Sequence, residues 1–269
     1  MTEILVVGEL INSTRKSVKA ALETKDEATI RRLAREQVEA GADIIDVNTA
    51  TSMEDEIDDM KWAIGLIHDE VGKVRLAIDS PNVKAMAAGL ELCQERPLIN
   101  SINNDPRERA FIDIVKNFDG DIIGLPMGGK TGMPKTVEER LEEVDIMVCT
   151  LDEAGVDPSR LYIDSIVMTI GSNQEQGRAV IESTRAIKKR YGGRGVKTSV
   201  GLSNISFGLP HRSLINQAFL AMLLEAGLDM AFIDPKDIGM MSALRASEAI
   251  VGNDVGCLKY IKHIRKISK

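Results

Sequence analysis

Short apolar runs along this chain end in polar residues of a restricted kind. Ile4–Val7 is followed by Glu9 and Asn12, and Ile44-Ile45 leads into Asp46 and Asn48. Val74–Ile78 stops at Asp79, Leu98-Ile99 at Asn100, and Leu161–Ile163 at Asp164. Thr198–Val200 runs into Gly201, Ser203 and Asn204, and Met230–Ile233 ends at Asp234. Carboxylates and amides dominate this set, with no Lys, Arg or His directly beside them. A carboxylate accepts two parallel N–H bonds, which suits a cyclic N–C(–NH₂)–N edge, and an Asn reads a mixed donor and acceptor edge. An Asp–Asn–Asp set therefore fits a fused heterocycle such as a pterin or a guanine. A magnesium ion held by Asp46, Asp79 and Asp164 is the competing chemistry. Any one of these residues could instead cap a following helix. Asp79-Ser80-Pro81 has that form, and Asn204 could cap the stretch after it.

The elements that must position these residues follow from periodicity. The apolar runs are short enough for buried strands. Between them lie stripes at helical spacing: Ile30, Leu33, Ala34 and Val38; Ile57, Met60, Ile64, Ile67 and Val71; and Leu214, Ala218, Met222 and Leu223. About eight βα units result, the number that closes a (β/α)₈ barrel, whose strand ends all open on one face. A faint repeat, Ala-Gly-x-Asp at 40–43, 154–157 and 226–229, precedes three of the strands. Each Gly stands where a helix needs a left-handed residue to stop. No linker or low-complexity segment interrupts the pattern, so a single domain over 1–269 is expected.

Composition narrows the function classes. The chain is 43% hydrophobic with net charge −7 and 3% aromatic residues, which argues against nucleic-acid binding. The basic tail from Lys259 to Lys269 reads as the solvated face of a last helix. Cys93, Cys149 and Cys257 form no CxxC pair, so neither a disulfide framework nor a cysteine metal site is expected, and a reduced, cytoplasmic setting fits. No signal peptide and no membrane-spanning run is expected.

The motifs "GELINST" (8–14), "IIDVNTA" (44–50), "LAIDSPN" (76–82), "PLINSIN" (97–103), "KTGMPK" (130–135), "LYID" (161–164), "GLSNIS" (201–206) and "RSLINQAFLAM" (212–222) together resemble the pterin-binding TIM barrels. Within that family the likeness is to the methyltetrahydrofolate:corrinoid-protein methyltransferases, and it covers nearly the whole chain. The resemblance implies that Asp79, Asn100 and Asp164, with Gly201 and Ser203, bind the pterin, and that Asn204 is catalytic beside N5. It implies an active-site rim at Glu9, Asn12, Asp46 and Asn48. It further implies tetrahydrofolate or 5-methyltetrahydrofolate as substrate or product, cobalamin carried by a separate corrinoid protein, and a homodimer. No Asp-x-His-x-x-Gly cobalamin signature is present. The opening "GELINSTRK" is closest to the branch that methylates tetrahydrofolate from a methylcorrinoid, as in betaine and methylamine demethylation. Two other readings stand beside this one, a dihydropteroate synthase-like enzyme and a non-catalytic folate-binding protein. The former typically needs a Ser-Arg-Lys run after the seventh strand and Arg-His after the eighth. Here Ser203-Asn204-Ile205 and Asp234-Pro235-Lys236 stand instead, and an anionic leaving group needs cationic donors.

Gly124–Thr131, "GLPMGGKT", matches the phosphate-binding pattern GxxxxGK[ST]. That mechanism needs a helix starting at the Lys-Thr. Gly132 and Pro134 follow directly, and Pro134 disfavours helical geometry at Met133. Residues 126–136 are therefore read as the fifth βα loop of the barrel.

Overall fold

A computed structural model describes residues 4–51 and 55–268. Eight parallel strands close into a barrel in sequence order, β1 hydrogen-bonding to β8. They are β1 Leu5–Asn12, β2 Ile44–Asn48, β3 Arg75–Asp79, β4 Leu98–Asn103, β5 Asp121–Leu125, β6 Leu161–Asp164, β7 Lys197–Gly201 and β8 Met230–Ile233. Ten helices accompany them among the described residues: α1 Lys16–Thr24, α2 Glu27–Ala40, α3 Glu56–Val71, α4 Val83–Leu90, α5 Ala110–Asn117, α6 Val137–Glu153, α7 Glu175–Tyr191, α8 Arg212–Glu225, α9 Ile238–Ile250 and α10 Leu258–Ile267. This is the expected (β/α)₈ architecture in a single domain.

The pleat explains how the polar residues reach the mouth. The barrel interior is filled by Val7, Ile44, Ala77, Leu98, Ile123, Tyr162, Met230 and Phe232. Side chains two positions apart on a strand share a face. Glu9, Asp46, Asp79, Asn100 and Asp164 each lie two residues beyond an interior side chain, so they point inward one layer higher. Asp79 and Asn100 are direct register partners. The opposite end is closed by the repeat seen in the sequence. Gly41, Gly155 and Gly227 adopt φ of 103°, 71° and 98°, a region open to glycine. The Asp that ends each repeat accepts a backbone N–H: Asp43 from Val6 at 2.8 Å, Asp157 from Ser159 at 2.9 Å and Asp229 from Thr198 at 2.8 Å.

Of the third stripe, Leu223 is buried as expected, but Leu214, Ala218 and Met222 face the other way. Leu214 and Met222 are 67% and 54% exposed, and α8 packs on the barrel through Phe219, Leu220, Leu223 and Leu224. In an all-round apolar helix the spacing 214, 218, 222 is as periodic as the buried set, and periodicity alone cannot choose between the faces. Val38, on the first stripe, is also partly exposed.

Candidate active site

Around β1 to β4 the mouth is a hydrogen-bonded ring of acids and amides. Asn48 donates from Nδ2 to Asp79 Oδ2 at 3.0 Å, and accepts at Oδ1 from the Ser13 hydroxyl at 2.5 Å. Asn100 donates to Asp46 Oδ1 at 3.1 Å. Asn12 lies near enough to Asp46 to lower its pKa, while its Oδ1 accepts from the Thr14 N–H at 3.0 Å and hydroxyl at 2.7 Å, turning the chain out of β1. Glu9 is aimed by a register shift between Gly8 and Ile11. The shift takes the Leu10 N–H out of the ladder, and the buried Gln37 Oε1 accepts it at 2.9 Å. A side chain at Gly8 would strike that same Oε1 at 2.4 Å, which explains the glycine.

Across the mouth Asp164 organises the ends of β6 and β7. It accepts the Ile166 N–H at 2.7 Å on Oδ1 and the Gly201 N–H at 2.9 Å on Oδ2. Ile166 takes φ 54°, a rare conformation for a β-branched residue. Arg140, fully buried on α6, holds that loop by donating to the Ser165 carbonyl at 2.8 Å and to Gln176 Oε1 at 3.0 Å. Asn204 lies inside a 3-10 turn over Leu202–Ser206 and is exposed. Its amide makes no side-chain hydrogen bond among the described residues and lies 3.7 Å from where a Cβ on Gly201 would be.

Both capping alternatives are excluded by the observed bonds. Asn82 caps α4 by accepting from the Lys84 N–H at 3.0 Å, so Asp79 does not. The turn containing Asn204 begins at Gly201 without a side-chain cap. The three carboxylates proposed for magnesium divide between two walls, Asp46 and Asp79 on one and Asp164 tied to β7 on the other. No group of three His, Cys, Asp or Glu is arranged to hold a metal among the described residues.

Burial dominates the electrostatics. It pushes Asp79 up to about 6, partly offset by the Asn48 hydrogen bond. It pushes Asp164 up to about 6, offset by the Ile166 and Gly201 N–H groups. Asp46 is raised well above the carboxylate range by burial and by its neighbour Asp79. The mouth thus holds buried acceptors in excess of donors, a state that a ligand rich in N–H groups would relieve. The cations expected to be absent from the mouth are not absent, because Arg15 and Arg212 line a cleft with Glu9. They come from the starts of α1 and α8, away from the strand ends where they were sought. Lys236, after β8, pairs instead with Glu36 on α2.

Asp79 has a folded pKa above its unfolded value near 4, so its contribution is favourable below that value and is lost as pH rises through about 6. Asp79→Asn removes the titration while an amide oxygen can still accept from Asn48. In urea unfolding without ligand, the variant gains on wild type by on the order of 1–3 kcal/mol between pH 4.5 and 7.5. Parallel pH curves for the two proteins would contradict this.

The phosphate-loop match is accidental. Helix α6 starts at Val137, capped by Thr136 and Glu139. Before it, Glu143 accepts the N–H groups of Gly129 at 3.1 Å and Thr131 at 2.6 Å. A carboxylate of the chain itself fills the place an anion would take. Lys130 is exposed and pairs with Glu142 at 3.1 Å. Lys130→Ala is expected to leave activity within about threefold, as for surface changes generally, and equilibrium dialysis should detect no ATP on the wild type.

The sequence matches the family described as "Pterin binding enzyme" over residues 8–234. It is 34% identical over 269 residues to the Methylcorrinoid:tetrahydrofolate methyltransferase of Eubacterium limosum, covering 98% of this chain and 97% of that protein. It is 30% identical over 249 residues to the methionine synthase of Mycobacterium leprae, covering 87% of this chain and 20% of that much longer protein. Among solved structures, dihydropteroate synthase from Xanthomonas albilineans superimposes with a TM-score of 0.72 at 18% identity, covering 92% of this chain and 93% of that one. The Yersinia pestis dihydropteroate synthase gives 0.68 at 15%, over 93% and 94%. At that identity these two share the fold alone. With a family match across the barrel from β1 to the residue after β8, and a full-length relative, the chain belongs to the pterin-binding enzyme family.

Proposed function

We propose that the protein transfers a methyl group between N5 of tetrahydrofolate and the cobalt of a corrinoid carried on a separate protein. The observation that carries this reading is the surplus of buried acceptors at the mouth, in a chain 34% identical over nearly its full length to a methylcorrinoid:tetrahydrofolate methyltransferase. Asp79, Asn100 and Asp164 take the pterin ring, the two carboxylates accepting ring and amino N–H groups and the amide reading the mixed edge. Gly201 and Ser203 let the backbone approach the ring. Glu9, Asn12, Asp46 and Asn48 form the rim that orients the ring-binding residues. Asn204, exposed and with no side-chain hydrogen bond among the described residues, faces N5. Its carbonyl accepts from N5–H, and its NH₂ donates to an N5 lone pair, so it serves either direction of transfer without committing to one protonation state.

The reading includes a homodimer and a cytoplasmic location. The first is supported by the exposed apolar face of α8, where Leu214 and Met222 lie open. The second is supported by three unpaired cysteines. No helix of the described residues is long and apolar enough to cross a membrane. Dihydropteroate synthesis is disfavoured because Lys236 turns to Glu36 and Arg212 is spent on the Ser203 carbonyl at 2.6 Å. A purely binding role is disfavoured by the free amide of Asn204. The test is spectrophotometric: methylcobalamin and tetrahydrofolate should yield cob(I)alamin in an enzyme-dependent, chelator-insensitive reaction. Absence of transfer in both directions, with free and protein-bound corrinoid, would leave only binding.

A further inference from the structure

The wall formed by β1, β7 and β8 carries a charged cluster whose side chains have a use beyond holding the pterin ring. A cleft of about 370 Å³ is lined by Glu9, Arg15, Ser203, Arg212, Asp234 and Asp237, among others. Glu9 is the member reached from inside the barrel. It lies on the inward face of β1, two residues above Val7 in the barrel interior. Its carboxyl and the Ser203 hydroxyl line the same cleft, the hydroxyl near enough to lower the carboxyl's pKa, and Ser203 adjoins Asn204 in the same 3-10 turn. The cations nearby do not neutralise it by contact: Glu9 makes no ion pair within 4 Å among the described residues. Arg212 instead donates to the Ser203 carbonyl at 2.6 Å and the Ser206 hydroxyl at 3.0 Å.

A half-buried carboxyl without an ion-pair partner among the described residues has a purely structural cost. It is instead well placed for proton traffic, with one side toward Asp46 and the ring-binding residues and the other toward the cleft. A serine hydroxyl can accept one proton while donating another, so Glu9 and Ser203 make a two-step path from the position beside Asn204 to solvent.

We propose that Glu9, acting through the Ser203 hydroxyl, takes up the proton that leaves N5 when tetrahydrofolate is methylated and returns it in the reverse transfer. The proposal rests on the methyl-transfer reading, in which Asn204 faces N5. When tetrahydrofolate is methylated, the N5 lone pair forms the new C–N bond. The Co–C bond breaks with both electrons remaining on cobalt, so Co(III) becomes Co(I). N5 is left with one proton in excess. That proton passes to the Ser203 oxygen as the Ser203 proton passes to the Glu9 carboxylate. The reverse reaction begins with the carboxyl protonated and delivers the proton to N5 before the methyl group leaves.

The protonation of Glu9 gives this path a pH signature. Burial pushes its carboxyl up to about 7, with Arg15 lowering it, Asp234 raising it, and Arg212 and Ser203 lowering it. The charged groups that face it are Arg15 from the start of α1, Arg212 from α8, Asp234 and Asp237 after β8, and Asp46 from β2. Methylation of tetrahydrofolate needs the carboxylate, so its rate rises with pH through about 7. Demethylation of 5-methyltetrahydrofolate needs the acid, so its rate falls over the same range.

The test is single-turnover transfer with methylcobalamin and tetrahydrofolate in one direction, and cob(I)alamin and 5-methyltetrahydrofolate in the other, across pH. Wild type should show opposite limbs centred near 7. Glu9→Gln should lose both limbs and fall by about 10²-fold in each direction, the scale of removing a general acid or base. Its tetrahydrofolate affinity should fall far less than its rate, since Asp79, Asn100 and Asp164 keep their own side chains. Ser203→Ala should lose the same limbs with the carboxyl still in place, which separates the path from a folding defect in the Glu9 variant. Retention of both limbs and of the rate in Glu9→Gln and Ser203→Ala would overturn the relay while the methyl-transfer reading stands. A wild type inactive in both directions would overturn that reading and the relay with it.

Discussion

Replacing Asn204 with alanine is expected to lower kcat/KM for methyl transfer by about 10²-fold or more, the scale of removing one preorganised donor from a reacting centre. Breaking the C–N5 bond leaves charge on nitrogen, and forming it requires a free lone pair. A fixed strong acid would assist one direction and trap N5 protonated in the other. A neutral amide stabilises developing charge in both. The turn that carries Asn204 is held by other groups, because Arg212 grips the Ser203 carbonyl at 2.6 Å and the Ser206 hydroxyl at 3.0 Å. With no side-chain bond of its own to lose, Asn204→Ala should melt within a degree or two of wild type, as exposed substitutions do. Steady-state kinetics at saturating corrinoid and a thermal melt are read together. Near wild-type turnover combined with a large loss of melting temperature would make the amide a structural element.

Asp79→Ala and Asp164→Ala should each weaken tetrahydrofolate binding by at least about tenfold, since a hydrogen bond to a charged group contributes roughly 1.5–3 kcal/mol. The two should differ in their side effects. Among the described residues the Asp79 side chain is hydrogen-bonded by Asn48, so its loss leaves the β2–β3 wall largely in place. Asp164 also holds the Gly201 and Ile166 N–H groups, and its loss frees the backbone beside Asn204. Asp164→Ala should therefore lower turnover at saturating folate as well, whereas Asp79→Ala should act mainly on affinity. Calorimetric titration of each variant with tetrahydrofolate measures the first effect. Unchanged affinity in both would show that the pterin is held elsewhere.

Much of the barrel was legible because its physics is periodic. Strands buried on both faces read as unbroken apolar runs, and the glycines of the Ala-Gly-x-Asp repeat marked three helix ends. The inward polar residues were visible for the same reason, each standing two positions past an interior side chain. What stayed hidden depends on three-dimensional proximity. Arg140 supports the Asp164 loop from the middle of α6, and its only mark in the sequence is a position in register with the buried Val144, Met147 and Leu151. Arg15 and Arg212 reach the mouth from helix starts, where charge is usually solvated. On α8 the stripe held at Leu223 and failed at Leu214, Ala218 and Met222, because apolar residues encircle the helix and packing decides which side is covered.

The most direct measurement follows the methyl group itself. The enzyme is incubated with a corrinoid protein bearing a carbon-13 methyl group on cobalt, together with tetrahydrofolate, and carbon-13 NMR is recorded with time. Loss of the cobalt-methyl resonance matched by growth of the N5-methyl resonance of 5-methyltetrahydrofolate, and slowed about 10²-fold by Asn204→Ala, is the predicted result. Tetrahydrofolate that binds the enzyme but never acquires the label, from the corrinoid protein or from free methylcobalamin, would contradict it.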